Sequence, residues 1–357
     1  MREYYTRACS FIYGLQAKKL ILQKKALPLN SRKDIAFDSI ELIRRKNKKI
    51  YTKLIKIEHL SNLNSKIKKK ILADLKKIQS KKKFSKLNFT NEPLLMGVLN
   101  ITPDSFSDGG IYFNKKKAIK NAEFLIDSGA NIIDIGGEST RPGSKEINPL
   151  VEWNRIKKIV KFLRKKFPKL NISLDTRKSL VMKNGLKMKI NIINDVSGLE
   201  FDQNAIKVIK EFKSPFIIHH MQGKPQTMQN MPKYNNVLLD IYDFFEKKIS
   251  FLKKQNVKIN NVILDPGIGF GKNLKHNLIL MSKISLFHSL GFPLMIGTSR
   301  KKFINQISEK YDTKERIGGT LSSVLYTLSQ GVQIFRVHNV REVKQGILVF
   351  KKLLLNQ

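Results

Sequence analysis

The chain has 357 residues, 41% of them hydrophobic, and a formal net charge of +40. This length suits one large domain with an appendage, or two ordinary domains, and the apolar content suffices for a sizeable core. A single cysteine, Cys9, excludes an intramolecular disulfide and a cysteine-based zinc site. No apolar run approaches the roughly 18 residues of a membrane-spanning helix, so we expect no membrane partner.

The charge of the chain has two interpretations. Lysines lie along almost every segment, including helix faces that water would cover, which favours a general compositional bias over one binding surface. A polyanion-binding surface is the alternative, with nucleic acid as a disfavoured partner. Glu3 is the only acidic residue before Asp34, a weak transit-segment pattern that lysine bias alone also produces. We therefore expect a cytoplasmic protein.

Residues 1–90 differ in composition from the rest, with 25 Lys and Arg against 6 Asp and Glu. Weak alternation over residues 35–43 predicts a strand, and apolar residues at helical spacing over 67–78 predict a helix. We interpret residues 80–91 as a linker. The whole segment is a basic N-terminal extension, either a small folded appendage or a partly ordered arm, and its pattern indicates no function.

In residues 91–357, short apolar runs alternate with amphipathic helical stretches. The runs are continuous rather than alternating, which indicates strands buried on both faces and therefore a parallel sheet covered by helices. We predict eight strands, at residues 95–100, 132–135, 172–175, 190–194, 216–219, 262–265, 294–297 and 333–337. The predicted helices run over residues 115–128, 150–167, 179–188, 204–212, 237–255, 275–289, 315–329 and 342–355.

Eight strand–helix units of this size match a (β/α)8 TIM barrel, which typically takes about 250 residues. A doubly wound open sheet is the alternative. Its first strand is usually followed by a GxGxxG turn, whereas the corresponding turn here reads ITPDSFSDGG. We therefore predict an α/β fold, a (β/α)8 barrel with a basic N-terminal extension.

Polar side chains stand at or just after the carboxyl end of each predicted strand. Singly, each has an ordinary explanation as a helix cap or a solvated charge. Together they predict an active site, because the carboxyl ends of barrel strands meet at one face. These residues are Asn100, Asp134, Asp175, Asn194, His219, Asp265, Ser299, Arg300, Lys301, Arg336 and His338.

The signs of these groups indicate the chemistry of a ligand. Carboxylates and amides follow the earlier strands, and they accept hydrogen bonds from N–H groups. Cations follow strands seven and eight, where barrels commonly bind phosphate. The sequence therefore predicts a ligand with a nitrogen-rich donor edge and a phosphate-like tail, which Arg and His would hold by charge-assisted hydrogen bonds.

Eight segments follow one another along residues 94–357: MGVLNITPDSFSDGG, GANIIDIGGESTRPGS, ISLDTRKS, INDVSG, HHMQGKPQTMQ, ILDPGIGFGKN, IGTSRKKFI and QIFRVHNV. In order and at family spacing, they resemble those of dihydropteroate synthase. The resemblance covers about residues 94–357. Ile268 stands where Phe is common, and Asn339 stands where Asp often follows RVH, but neither position carries an assigned group. Residues 1–90 lie outside the resemblance and show no convincing match to a fused pyrophosphokinase domain.

The resemblance implies condensation of 6-hydroxymethyl-7,8-dihydropterin pyrophosphate with p-aminobenzoate to 7,8-dihydropteroate and pyrophosphate. It implies a deep pterin pocket and a cation that contacts the pterin. Two further residues would pack on the ring, although ordinary core packing explains them equally well. The pocket residues would be Asp175, Asn194 and Asp265, the cation Lys301, and the ring contacts Met221 and Phe270.

The resemblance also implies sites for pyrophosphate, metal and p-aminobenzoate. Asn100, Arg336 and His338 would hold the pyrophosphate, with Asn100 on a shared Mg2+ and Asp134 in support. These three and Lys301 are the expected catalytic residues. The region of Ser299 would seat the p-aminobenzoate carboxylate. Loop residues Thr140 and Arg141, with Pro142 and Phe106, would close over it, and a homodimer is expected.

Two other functions remain open at this point. A pterin-binding methyltransferase module would share the Asp/Asn/Asp pocket, but it has no use for the cations of the SRK and RVH segments. A nucleic-acid-binding protein would account for the net charge of +40, and such binding would weaken steeply with salt.

Overall fold

The computed structural model describes residues 2–47, 49–85, 87, 89, 92–102, 111–139, 143–223, 227–228, 231–309, 312–313 and 315–356, with side chains undescribed at 111–114. Two sheets are present in this part of the chain. One has four strands and is antiparallel, and the other has eight parallel strands.

The four-stranded sheet belongs to the N-terminal region. Its long strand β3 pairs with β1 along one edge and with β2 and β4 along the other. The helix α2 begins after Asn64, whose side chain accepts a hydrogen bond from the Lys66 amide, and it packs Ile71, Leu75 and Ile78 into the core of this sheet. The elements are β1 (Tyr4–Tyr13), α1 (Gly14–Leu22), β2 (Leu27–Leu29), β3 (Arg32–Lys46), β4 (Lys49–Lys56) and α2 (Ser65–Gln79).

The eight-stranded sheet is a (β/α)8 barrel, as the sequence predicts. Its strands follow one another in chain order around the sheet, and a parallel bridge between Leu264 and Leu294 joins the two end strands. The strands are β5 (Leu94–Asn100), β6 (Ile132–Gly136), β7 (Asn171–Asp175), β8 (Ile192–Asp195), β9 (Phe216–His219), β10 (Val262–Asp265), β11 (Met295–Ile296) and β12 (Ile334–Val337).

Helices cover the outside of the barrel at the predicted places, with two differences. The stretch predicted as one helix over 275–289 is divided, because Lys283 with a φ of −123° leaves the helical region and a 3-10 helix, Ile284–Leu290, follows. A short helix after β11 was not predicted. The helices are α3 (Ile111–Asp127), α4 (Pro149–Lys166), α5 (Ser179–Lys187), α6 (Ala205–Phe212), α7 (Val237–Lys254), α8 (Leu274–Ser282), α9 (Lys302–Ser308), α10 (Ile317–Ser329) and α11 (Val340–Leu355).

In the segment interpreted as a linker, the described residues Phe84 and Phe89 close the base of the barrel instead. Phe84 and Phe89 are buried and share one apolar cluster with residues of the barrel strands. Two large aromatic rings remove much apolar area from water, which accounts for the packing of a segment that is otherwise polar. The strand residues of this cluster are Leu94, Met96, Ile132, Ile192, Ile217, Ile263, Met295 and Ile334.

The N-terminal sheet is attached to α7 by buried polar contacts. Arg2 donates hydrogen bonds to Asp74 and to Glu246, the latter at 2.9 Å, so it links α2 to the barrel. The Tyr5 hydroxyl donates to Asp243 at 2.8 Å, and Arg45 lies 3.2 Å from the same carboxylate. The N-terminal region therefore docks on the barrel through paired charges as well as apolar surface.

A tight hairpin between β2 and β3 rests on the base of the barrel. Leu29 pairs with Arg32, and the two residues between them, Asn30 and Ser31, have φ values of 54° and 64°. Two positive φ angles in a two-residue loop make a type I′ turn. The Asn30 side chain donates to the carbonyl of Gly331 at 3.3 Å.

Gly331 is required at this contact. Its φ is 86°, and a Cβ added there would lie 2.4 Å from Leu29 Cδ2. We expect Gly331→Ala to lower the free energy of unfolding by about 3 kcal/mol, because left-handed strain adds to overpacking. Gly143→Ala is the matched control, since its φ is 82° but an added Cβ meets no atom of the described residues within 4 Å. It should cost about 1 kcal/mol. Equal losses in urea unfolding would contradict the close contact at Gly331.

Candidate active site

The predicted strand-end residues converge at the carboxyl end of the barrel. Asp134, Asp175, Asn194 and Asp265 lie in β6, β7, β8 and β10, and all four are buried. They are held there because each is among the last residues of an apolar strand that is covered by helices. Asn100, the last residue of β5, is half-buried. A polar cluster therefore stands in an apolar barrel mouth.

Arg336, in β12, joins two of the carboxylates across the barrel. Its Nε donates to Asp134 Oδ2 at 2.7 Å, and its Nη2 donates to Asp175 Oδ2 at 2.7 Å. Burial lowers the pKa of Arg336, but Asp134 and Asp175 outweigh this effect and hold the pKa above its ordinary value. The guanidinium therefore stays charged and organises the cluster.

Two acceptor oxygens in this cluster have no hydrogen-bond donor among the described residues. The amide of Asn194 donates to Asp134 Oδ2 at 3.1 Å, which leaves Asn194 Oδ1 and Asp134 Oδ1 buried and unpaired. Unpaired buried oxygens are unfavourable unless a ligand or water donates to them. The arrangement fits a ligand with several N–H donors.

Burial also sets the charges of the carboxylates. It raises the pKa of Asp175 to about 7, against the opposing effect of Arg336. It raises the pKa of Asp265 to about 6, although the Gly267 amide donates to Oδ1 at 2.8 Å and opposes the shift. Both groups can thus exchange a proton near neutral pH when a ligand changes their surroundings.

Lys301 stands over the ring of Phe270, with Nζ 4.0 Å from the ring centroid. The His219 ring packs against Phe270 in a T-shaped arrangement, with 4.6 Å between the ring centroids. Burial, with the charge of Arg336, lowers the pKa of Lys301 to about 7. Gly269 leaves room for the lysine, since a Cβ there would lie 3.1 Å from Lys301 Cδ. Met221, just after β9, is half-buried.

His338 is oriented by Ser299. The Ser299 hydroxyl accepts a hydrogen bond from the His338 amide at 3.2 Å and lies 3.0 Å from its Nδ1. Because the hydroxyl already accepts the amide proton, its own proton can go to Nδ1. In the tautomer with hydrogen on Nε2, which this contact allows, the ring can donate to an anion.

Asn100 is the predicted metal ligand. A Cβ added at Gly136 would lie 3.5 Å from Asn100 Oδ1 and 3.5 Å from Asp175 Cβ, so the amide reaches the polar cluster. Across the described residues, no group of three or more His, Cys, Asp or Glu is placed to hold a metal ion. A single amide oxygen fits Mg2+ only when substrate oxygens and water complete the shell.

The second barrel loop begins at a buried charge network that the sequence did not reveal. Lys178 Nζ donates to Glu138 at 2.7 Å and to Glu152 at 2.8 Å, and Arg177 donates to Glu138 at 3.0 Å. In the sequence of a lysine-rich chain, these two cations cannot be distinguished from solvated charges. The network fixes the stem of the loop. The predicted loop residues Thr140, Arg141, Pro142 and Phe106 lie outside the described residues.

Lys272 is a second buried cation that sequence reasoning missed. Its Nζ donates to the Phe270 carbonyl at 2.8 Å and lies 3.1 Å from His220 Nδ1. It ties the loop after β10 to the loop after β9 and so supports Phe270. In the sequence, the only indication of this role is the position of Lys272 in the segment ILDPGIGFGKN.

Sequence comparison assigns this barrel to a known group. A family model described as "Pterin binding enzyme" matches residues 96–338. The dihydropteroate synthase of Escherichia coli strain K12 is 39% identical over 264 residues, which cover 74% of this chain and 93% of that protein. The Bacillus subtilis strain 168 enzyme of the same name is 38% identical over 259 residues, which cover 72% and 88%.

Solved structures agree with the sequence comparison. A dihydropteroate synthase of Yersinia pestis, in complex with a sulfonamide drug, matches with a TM-score of 0.70 and 36% identity, covering 75% of this chain and 96% of that one. The enzyme of Xanthomonas albilineans with 4-aminobenzoic acid matches with a TM-score of 0.70 and 30% identity, covering 75% and 94%. The chain therefore belongs to the dihydropteroate synthase family of pterin-binding enzymes.

Proposed function

We propose that this protein condenses 6-hydroxymethyl-7,8-dihydropterin pyrophosphate with p-aminobenzoate, releasing pyrophosphate and 7,8-dihydropteroate for folate biosynthesis. Membership of the family supports the activity. The observation that carries the site assignment is the set of unpaired buried oxygens on Asp134 and Asn194 beside the cations Arg336 and Lys301. A flat ligand with N–H donors and an anionic tail matches both halves of this site.

The pterin would lie deep in the barrel mouth. Its amino and ring N–H groups would donate to Asp175, Asn194 and Asp265, and Lys301 would donate to a ring acceptor. Phe270 supports this placement, because its ring underlies Lys301 and a flat heterocycle packs well against such a surface. Because the acceptors are fixed before binding, little side-chain ordering opposes association.

The pyrophosphate would lie toward Arg336 and His338. The bond between the pterin methylene carbon and oxygen breaks with its electron pair going to pyrophosphate, and the dihydropterin ring delocalises the positive charge left on carbon. Arg336 and the Nε2–H of His338 stabilise the growing negative charge. When bound, a Mg2+ on Asn100 and the pyrophosphate oxygens would add further charge neutralisation.

The amine of p-aminobenzoate then forms the new carbon–nitrogen bond and loses a proton. It is a neutral nucleophile near neutral pH, so the site needs no strong base. The relative with bound 4-aminobenzoic acid supports a p-aminobenzoate subsite here. We place its carboxylate near Ser299, with Thr140 and Arg141 closing over it.

We also propose a cytoplasmic homodimer. In the described chain, no helix is both long and apolar enough to cross a membrane. Large apolar residues that remain exposed on α10 and α11, Tyr326, Leu348, Val349 and Leu353, support association of two copies. Light scattering on the purified protein measures its molar mass and therefore the number of copies that associate.

The activity is tested with purified full-length protein, both substrates and detection of dihydropteroate and pyrophosphate. We expect turnover that requires both substrates, and a loss of at least about tenfold when EDTA removes Mg2+, restored by added Mg2+. Folded protein with no product would contradict the function. Full turnover in EDTA would contradict the metal proposal alone.

A further inference from the structure

One buried lysine holds both ends of the second barrel loop, residues 139–146, which joins β6 to α4. Lys178 Nζ donates to Oε1 of Glu138, which precedes the loop, and to the carbonyl of Ile147, which follows it, in both cases at 2.7 Å. Glu138 Oε1 also accepts a hydrogen bond from the Ile147 amide at 3.0 Å. We name Glu138, Ile147 and Lys178 the loop clamp.

All three N–H groups of the Lys178 ammonium are used within the protein. Two of them serve the loop clamp, and the third is donated to Glu152 Oε2 in α4 at 2.8 Å. Because Lys178 is only 2% exposed, water does not compete for these hydrogen bonds. The ammonium is therefore not placed to contact a substrate, and any effect of Lys178 on the active site must pass through the residues that it holds.

The two carboxylates that contact Lys178 have different electrostatic environments. Burial opposes ionisation of Glu138, but the hydrogen bonds from Lys178 and from the Ile147 amide outweigh burial and keep the pKa of Glu138 below its ordinary value. For Glu152, burial outweighs the contact with Lys178 and raises the pKa. The charge of Glu138 thus belongs to the loop clamp, whereas the charge of Glu152 is not needed to hold the loop.

The loop clamp begins beside the proposed pterin pocket. Lys178 lies three residues after Asp175, the last residue of β7, and the Lys178 amide donates to Thr176 Oγ1 at 3.3 Å. The Thr176 amide donates to the Asn194 carbonyl at 3.1 Å. The backbone that carries Lys178 is therefore fixed to the two strands that carry Asp175 and Asn194, and the clamp sets the position of the second loop relative to them.

We propose that Lys178 is a positioning residue for p-aminobenzoate, which fixes the second loop relative to the pterin pocket without touching either substrate. The inference rests on the proposed function, in which Thr140 and Arg141 of this loop contact p-aminobenzoate. Loss of the clamp should weaken binding of p-aminobenzoate. It should leave pterin affinity unchanged, because the pterin acceptors lie on buried strands that hold their own positions.

The test variant combines Lys178→Met with Glu152→Met. Lys178→Met alone leaves two buried carboxylates short of a cation, whereas removal of one charge of each sign is often neutral for stability. Glu138 also keeps its hydrogen bond from Arg177 at 3.0 Å, so the double variant should unfold at a urea concentration close to that of the parent. We expect its KM for p-aminobenzoate to rise about tenfold or more, with kcat within about twofold of the parent.

Glu152→Gln is the matched control, because it keeps an oxygen that accepts from Lys178 and leaves the loop clamp intact. Its KM for p-aminobenzoate should equal that of the parent. Pterin affinity, measured by calorimetry, should be the same in all three proteins. A merely structural role would instead lower kcat or pterin affinity together with p-aminobenzoate binding, and that result would overturn the proposal.

Hydrogen exchange measures the loop clamp itself, without substrate. The Ile147 amide should exchange at least about tenfold faster in the double variant than in the parent, and at the parent's rate in Glu152→Gln. Unchanged exchange in the double variant would contradict the clamp. A parent without turnover would contradict the proposed function itself, whereas an active parent whose double variant keeps the same KM would contradict only the positioning role.

Discussion

Replacing Arg336 with Met is expected to lower kcat by about a thousandfold, because the proposed mechanism then lacks a donor to the departing pyrophosphate. It should also lower the free energy of unfolding by about 3–5 kcal/mol, since Asp134 and Asp175 lose the cation that lies 2.7 Å from each of them. The protein should still fold, because domains of this size commonly have more stability than that to lose. Steady-state kinetics and urea unfolding measure the two effects.

Arg336→Lys is the control for this prediction. It keeps the charge but cannot donate to both carboxylates in the same fixed geometry. We expect it to recover more of the stability than of the activity, since a point charge compensates the carboxylates better than it orients a leaving group. A Met variant with near-normal kcat would show that Arg336 serves only to hold the two carboxylates together.

Replacing Lys301 with Met should lower activity by about a hundredfold or more, because the variant lacks the hydrogen-bond donor that we propose for the pterin. Unlike the Arg336 variant, this one should be at least as stable as the parent. Burial already lowers the pKa of Lys301 to about 7, with Arg336 as a like charge nearby, so the native state gains nothing from the ammonium. Pterin affinity by calorimetry and thermal unfolding distinguish the two effects.

Lys302→Met is the matched control, because Lys302 is the exposed neighbour at the start of α9. It should leave both pterin affinity and melting temperature close to those of the parent. If Lys301→Met bound pterin normally, the cation would instead have a role in chemistry or packing against Phe270. If it unfolded, Lys301 would be structural.

The barrel could be predicted because its strands are continuous apolar runs separated by helical periodicity, and both signals are local. The barrel strands confirm the prediction to within about two residues at each end. The N-terminal strand β1 could not be predicted in this way, since its residues YYTRACSFIY show no regular alternation of burial. It pairs with β3, with Tyr5 against α7 on one face and Thr6 against α2 on the other, so both faces are partly covered and no period-two pattern arises.

The site was predicted as a set of residues but not as a set of contacts. The predicted strand ends include Asp134, Asp175 and Arg336. The structure joins them through Arg336, which lies 202 residues after Asp134 and 161 residues after Asp175. Such pairing depends on how the sheet curves and closes. The roles of these residues in binding, the Mg2+ at Asn100 and the homodimer stay predictions.

Because lysine is so abundant, the sequence does not indicate which lysines are buried. Lys82, Lys178 and Lys272 are 2–3% exposed, while most lysines around them are solvated. A side chain's own type and spacing give no sign of which lysine is buried. Burial is indicated only by the groups with which a lysine pairs, and for Lys178 these are carboxylates on a different barrel segment.

The hairpin at the barrel base has a consequence for the order of events during synthesis. Asn30 is made early, but the Gly331 carbonyl that it contacts is 301 residues further along the chain. The N-terminal sheet therefore leaves the ribosome long before its docking surface exists. The final strand, β12, which begins at Ile334, pairs β11 with β5 and lies next to that surface. Completion of the barrel and docking of the N-terminal sheet thus depend on the same late segment, and contacts of such long range form slowly.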